Sequence, residues 1–243
     1  MKLIFIRHAD PDYEIDSLTP YGWKEAQALA DYLQEMDVTE YYVSPLGRAQ
    51  ATASVTMKKI GREAITLPWL TEFTHPTPLK PSYPDSSAVP WDWRPADWTK
   101  EERFFDQQKW MDAPEMVDAN IAHHHGEVIR DFDGFLAQRG YERRGRMYHT
   151  ELGHDETYVF FCHLGTKGIL LGHLLHLSPM VLWHSLCAVP SSISTVVTEE
   201  RQKGLVSMRM LSYGATPHLE KANLDPSFAA RFCETYEMVD QRH

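Results

Sequence analysis

Two short apolar runs constrain this chain more than any other feature. KLIFI (2–6) stops abruptly at Arg7-His8, and TYVFF (157–161) stops just before His163. Strands this uniformly apolar have both faces buried, the condition of a strand inside a parallel sheet covered by helices. The neighbouring segments supply such helices. LTPYGWKEAQALADYLQEM (18–36) offers Thr19 as an N-cap and Pro20 at the first helical position. Ala26, Leu29, Ala30, Leu33 and Met36 then fall on one apolar stripe. A strand at EYYVS (40–44), a helix from Arg48 to about Lys59 and a strand near AITLPW (64–69) continue the alternation. The pattern predicts an α/β fold, a three-layer sandwich with a mostly parallel central sheet.

Residues 73–114 interrupt the rhythm with seven of the 15 prolines and four of the seven tryptophans, including WDWRPADW (91–98). Prolines this dense exclude a long helix. The segment reads either as an excursion packed by its own aromatics or as a lid over a site. Helical spacing returns at 115–138, with Gly140 just past its end. SISTVVTEE (192–200) and GLVSMRMLS (204–212) read as a hairpin, and PSFAARFCETYEMV (226–239) as a terminal helix. With no internal repeat or linker, the 243 residues read as one domain, 1–243, with an irregular insertion or cap at about 73–154.

Composition narrows the partners. A formal charge of −10 is opposite to the basic footprint of nucleic-acid binding, and an anionic substrate needs a local positive pocket. No stretch approaches the roughly 18 apolar residues of a spanning helix, and MKLIFIRHAD is too short-cored for a secretory signal. Cys162, Cys187 and Cys233 are odd in number and scattered, without a CxxC, which suits a reducing cytoplasm and no thiolate zinc site.

Arg7-His8 leaves the C-terminal end of the first strand, the edge where open α/β sheets bind ligands. An imidazole titrates near neutrality, and a guanidinium grips a phosphoryl group through paired hydrogen bonds. Arg-His alone is a weak signal, more often structural than catalytic. Two further junctions strengthen it. SPLGRAQATA (44–53) puts Arg48 at the start of the helix after the second strand, and FCHLGTKGILL (161–171) puts His163 between a buried strand and a helix. Three phosphate-suited groups at three strand-to-helix junctions converge on one edge.

With these motifs the chain resembles the histidine phosphatase superfamily, of phosphoglycerate mutase-like fold. LIFIRHAD (3–10), LTPYGWKEA (18–26), SPLGRAQATA (44–53), WLTEF (69–73), FCHLGTKGILL (161–171) and YGATPHL (213–219) carry the resemblance, and the middle of the chain matches poorly. The resemblance implies His8 as the nucleophile forming a phosphohistidine, and Arg7, Arg48 and His163 as the phosphate pocket. By position it implies Glu72 as proton donor to the leaving alcohol, kept protonated by Trp69, Leu70 and Phe73. Two guanidiniums and an imidazolium can stabilise the transferring phosphoryl group without metal or cofactor. The chain departs from the family in Ala9-Asp10, where Gly then Glu is usual. It departs again in the short loop PDYEIDS (11–17), which lacks an Asn, and in Leu164, where a small residue is frequent. The short loop favours a phosphomonoesterase acting on a small phosphorylated substrate over a mutase.

Other readings compete. His8, Asp10 and Asp12 could begin a metallophosphoesterase site, which would leave Arg48 and His163 without a role. The same Arg/His set could serve a phosphate-binding module without turnover. HHH (123–125) reads as a helix segment rather than a metal site, because consecutive residues of a turn diverge. RRGR (143–146) reads as an exposed basic loop before a second anion site, and His173 and His176 as helix-surface or core residues.

Overall fold

The computed structural model describes residues 1–74, 89–227 and 237. In chain order the strands are β1 (Lys2–Arg7), β2 (Pro11–Asp12), β3 (Ser17–Leu18), β4 (Glu40–Val43), β5 (Ile65–Thr66), β6 (Glu142–Arg144), β7 (Met147–His149), β8 (Thr157–Cys162), β9 (Ile193–Gln202) and β10 (Leu205–Ala215). The α-helices are α1 (Pro20–Leu33), α2 (Gly47–Ile60), α3 (Pro95–Trp98), α4 (Pro114–Asp118), α5 (Ile121–Ala137), α6 (Leu164–Leu175), α7 (Pro179–Ser185) and α8 (Pro217–Ala222).

Eight strands make one sheet in the order β5-β4-β8-β1-β9-β10-β7-β6. The neighbours from β5 to β1 pair parallel, as the apolar runs predict. From β1 to β6 every pair is antiparallel, so the sheet is mixed rather than mostly parallel. The cause is local. β9 and β10 are joined through only Lys203 and Gly204, the glycine at φ 77°, and β6 and β7 through a turn with Gly145 at φ 63°. Two-residue connections close antiparallel hairpins and leave no room for a crossover helix.

Alternation along β1 builds the layers. Leu3 and Phe5 join Phe160, Phe132, Phe135 and Leu170 in one core, under α5 and α6. Ile4 and Ile6 join Val159, Phe161, Leu29, Leu33 and Met57 in the other, under α1 and α2. Phe5 is fully buried and stacks on Phe160 at 5.1 Å, so Phe5→Ala should cost about 3–5 kcal/mol. A third core gathers Trp93, Trp98, Phe104 and Trp110 against Ile169 of α6 and Met180 and Trp183 of α7. The described part of the proline-rich segment is thus packed by its own aromatics together with α6 and α7.

The helix expected over 115–138 is broken. Asn120 takes a left-handed conformation (φ 52°), ending α4 and starting α5 on a new axis. The expected terminal helix at 226–239 falls almost wholly outside the described residues. Among those residues no helix is long and apolar enough to cross a membrane.

Candidate active site

β1, β4 and β8 run parallel, so their C-terminal ends share one edge; β9, antiparallel to β1, begins there. The topology therefore delivers His8, Ser44 and His163 to one place. The backbone of His8 is held on both sides: its N–H donates to the Cys162 carbonyl (2.9 Å) and its carbonyl accepts from the Ser191 N–H (3.0 Å). Nδ1 lies 2.8 Å from the Ala9 carbonyl. A carbonyl can only accept, so Nδ1 carries the proton and Nε2 the lone pair. Burial, then the Arg7 and His163 charges, hold the imidazole well below its ordinary pKa, and Arg48 adds to the effect. The ring is neutral at neutral pH.

The two arginines come from different elements. Arg7 Nη1 donates to the Ala188 carbonyl at 2.8 Å, and its buried Nε has no hydrogen-bond partner among the described residues. Arg48 sits in the first turn of α2 and is anchored by Asp16, with Nη1 2.6 Å from Oδ1. The other oxygen of Asp16 accepts from the Gly47 N–H at 2.6 Å, and its backbone is left-handed (φ 45°). One carboxylate thus fixes both the start of α2 and the guanidinium. Arg48 Nε is likewise buried without a hydrogen-bond partner among the described residues.

His163 is fully buried, its ring 5.2 Å from that of His8. Its Nε2 lies 2.7 Å from Ser44 Oγ, which itself accepts from the Leu46 N–H. The buried Nδ1 of His163 has no hydrogen-bond partner among the described residues. Burial pushes the pKa of His163 down to about 4, Glu72 opposing and Arg48 and Arg7 assisting. The imidazolium expected here is a neutral imidazole while no phosphate is bound.

Glu72 follows the 3-10 turn Pro68–Leu70 and docks on the first turn of α6. Its Oε1 accepts from the N–H groups of Phe73 (2.8 Å) and Thr166 (3.0 Å). Leu70 and Phe73 are buried, but each in a different core. Gly165 is required at this contact, since a Cβ would stand 2.6 Å from Trp91 Nε1 and 2.7 Å from Glu72 Oε1. The aromatic segment therefore reaches the start of α6.

Asp10 and Asp12 do not join His8. Asp10 Oδ2 accepts from Thr19 Oγ1 at 2.5 Å, and Asp12 Oδ1 from the Glu14 N–H at 3.1 Å. Among the described residues the metal-ligating groups that come together are His123, His124 and Glu127, near the surface of α5. Neighbouring histidines of the triplet thus do converge, contrary to the divergence expected, while His125 packs on Trp110. Arg143 donates to Tyr148 Oη and Arg144 to Glu142, on β6, four strands away from β1. His173 pairs with Asp133 at 2.9 Å, and His176 ends α6 in a left-handed turn. Asp85, a carboxylate of the insertion next in line as the acid should Glu72 not serve, lies outside the described residues. Asp16, Ser44, Lys167 and Tyr213 carry no signal in the sequence that marks them out beside the site residues above. Asp16 and Ser44 lay within quoted motifs, and Lys167 follows His163 at helical spacing.

The family model described as "Histidine phosphatase superfamily (branch 1)" matches residues 3–210. No curated protein matches. Among solved structures, a phosphoserine phosphatase mutant from Entamoeba histolytica in complex with phosphoserine is 19% identical with TM-score 0.57, covering 90% of this chain and 98% of its own. A mycobacterial glucosyl-3-phosphoglycerate phosphatase is 20% identical with TM-score 0.57, covering 88% and 99%. The alpha-ribazole phosphatase from Shigella flexneri is 17% identical with TM-score 0.51, covering 88% and 98%. At these identities the likeness is one of fold.

Proposed function

The chain belongs to the histidine phosphatase superfamily (branch 1), and from that premise we propose that it is a metal-independent phosphomonoesterase working through a phosphohistidine at His8. The observation that carries the reading is the neutral, buried His8, its Nε2 lone pair free of the proton held at Nδ1. In the first step Nε2 attacks phosphorus, the phosphorus–oxygen ester bond breaks, and the leaving oxygen takes a proton from Glu72. In the second step water attacks phosphorus, the nitrogen–phosphorus bond breaks, and the Glu72 carboxylate accepts the water proton. Arg7, Arg48 and His163 Nδ1–H donate to the equatorial oxygens, where charge spreads in the transition state. The bound dianion would favour protonating His163, which supplies further positive charge there, while His8 attacks as the neutral imidazole.

The three solved neighbours are named as phosphatases, which supports hydrolysis over transfer. The engaged carboxylates of Asp10 and Asp12 weigh against a two-metal site around His8. We assign the substrate to small phosphorylated metabolites and its discrimination to the segment at 73–154, whose Trp91 reaches α6. The net charge of −10 argues against nucleic acid, and the cysteine usage favours a reducing cytoplasm. Release of inorganic phosphate from simple esters tests the reading: it should survive EDTA and vanish in His8→Ala. Activity abolished by EDTA and restored by a divalent metal would instead support the metallophosphoesterase.

A further inference from the structure

Lys167 takes no part in the reaction above, yet it lies beside the same pocket. Its N–H donates to the His163 carbonyl at 3.0 Å, one turn and a rise of about 6 Å further along α6. The side chain is fully buried, and Nζ has no hydrogen-bond partner among the described residues. Nζ stands 5.1 Å from the centre of the Tyr213 ring. A lysine taken out of water without a partner is costly, and stacking on one phenol ring returns only part of the loss. Burial brings its pKa down to about 8, Cys162 opposing and Arg7 assisting, so the ammonium form still predominates at neutral pH.

Topology adds acceptors and donors of the same kind. β10 runs back to the site edge, where Ala215 pairs with Ile193 at the start of β9. That places Tyr213 near Arg7, whose charge acts on both Tyr213 and Lys167. Tyr213 Oη and Ser192 Oγ are buried and, among the described residues, also lack partners. Ser192 is fixed to the catalytic strand, since its carbonyl accepts from the Arg7 N–H at 3.1 Å. One cation and two hydroxyls with unspent hydrogen bonds thus lie around Arg7. The phosphoryl oxygens already have two guanidiniums and an imidazole to serve them, so this second set has a different client.

We propose that Lys167, with Tyr213 and Ser192, forms a second anion subsite that selects phosphomonoesters whose leaving group carries a further carboxylate or phosphate. This rests on the phosphatase reading. The spacing along α6 suits a leaving group of about three carbons. Lys167 is then a specificity-determining residue, and the cost of burying its charge is offset when the second anion binds.

Three esters differing only at the far end test this: propyl phosphate, 3-(phosphonooxy)propanoate and propane-1,3-diyl bisphosphate. In the wild type, kcat/KM for one of the two-anion esters should exceed that for propyl phosphate by about tenfold or more, the worth of one charge-assisted hydrogen bond. Which ester shows it tells carboxylate from phosphate. Lys167→Met should collapse that ratio toward one, chiefly through KM, Lys167→Arg should keep part of it, and Tyr213→Phe should lower it less. A ratio near one in the wild type, or one unmoved in Lys167→Met, overturns the subsite. So does an equal loss on all three esters, which would put Lys167 on the transferred phosphoryl group. Calorimetric binding to His8→Ala protein separates this from the phosphatase reading. A preference for the two-anion ester, lost in the double variant, upholds the subsite even if the wild type hydrolyses nothing. Turnover of propyl phosphate that depends on His8, without any such preference, upholds the phosphatase and removes the subsite.

Discussion

Single residues in this site are defined by which proton they hold. His8 is neutral because burial and neighbouring cations oppose its charge, and His163 because burial does. Both pKa values lie below the ordinary value of about 6.5, so the unfolded chain binds these protons first as pH falls. The stability each contributes is complete above pH 6.5 and, for His163, is lost as pH falls through about 4. Imidazole NMR titration of the free protein should therefore show neither ring protonating between pH 6.5 and 8. Urea unfolding should show stability falling from pH 6.5 toward 4, less steeply in His163→Asn. A midpoint at or above 6.5 for His8 would contradict the account of its neutrality. Arg7, His8, Arg48 and His163 were legible because each stands at a strand-to-helix junction in a short motif. Asp16 was not, because its role depends on a left-handed backbone and on a loop closing over the start of α2. Lys167 looked like an ordinary helix residue, since burial is set by β10, distant in sequence.

At the scale of elements, the decisive contact is the docking of the Glu72 turn on α6. Glu72→Gln keeps an oxygen able to accept from the Phe73 and Thr166 N–H groups, so folding should change by less than about 0.5 kcal/mol. On the proposed mechanism what is lost is a proton for the leaving oxygen, worth about 10²–10⁴-fold where the leaving group is a poor one. Alkyl phosphates should slow by that factor and aryl phosphates little, with inorganic phosphate binding nearly unchanged. Equal losses on both esters would show that another group is the acid. The sequence placed Glu72 only by its position in WLTEF; its anchoring could not be foreseen, because a residue at 72 meets one at 166 through the fold. Helices fared better. Thr19 and Pro20 do start α1, with Thr19 Oγ1 accepting from the Gly22 N–H at 3.0 Å. The split of α4 from α5 escaped notice because Asn120 interrupts an otherwise regular apolar spacing.

Across the whole molecule, three parallel pairings gather the chemistry and four antiparallel pairings close it from the side of β9 and β10. The parallel part was readable from apolar runs, which report burial on both faces. The antiparallel part was readable only as one hairpin, and β6 and β7 are too short to register as strands in a pattern of periodicity. The third core, built from tryptophans around Trp110 and Trp183, holds the described part of the proline-rich segment by aromatic packing. All of this converges on one nitrogen, Nε2 of His8. A phosphoramidate is stable in alkali and labile in acid, unlike a serine ester or an acyl phosphate. Rapid quench with phosphorus-labelled substrate should trap an alkali-stable, acid-labile phosphoprotein that His8→Ala abolishes and His163→Ala weakens without moving the label. An active enzyme that yields no trapped species under any quench, and whose His8→Ala variant keeps appreciable turnover, would contradict the account and point to direct attack by water.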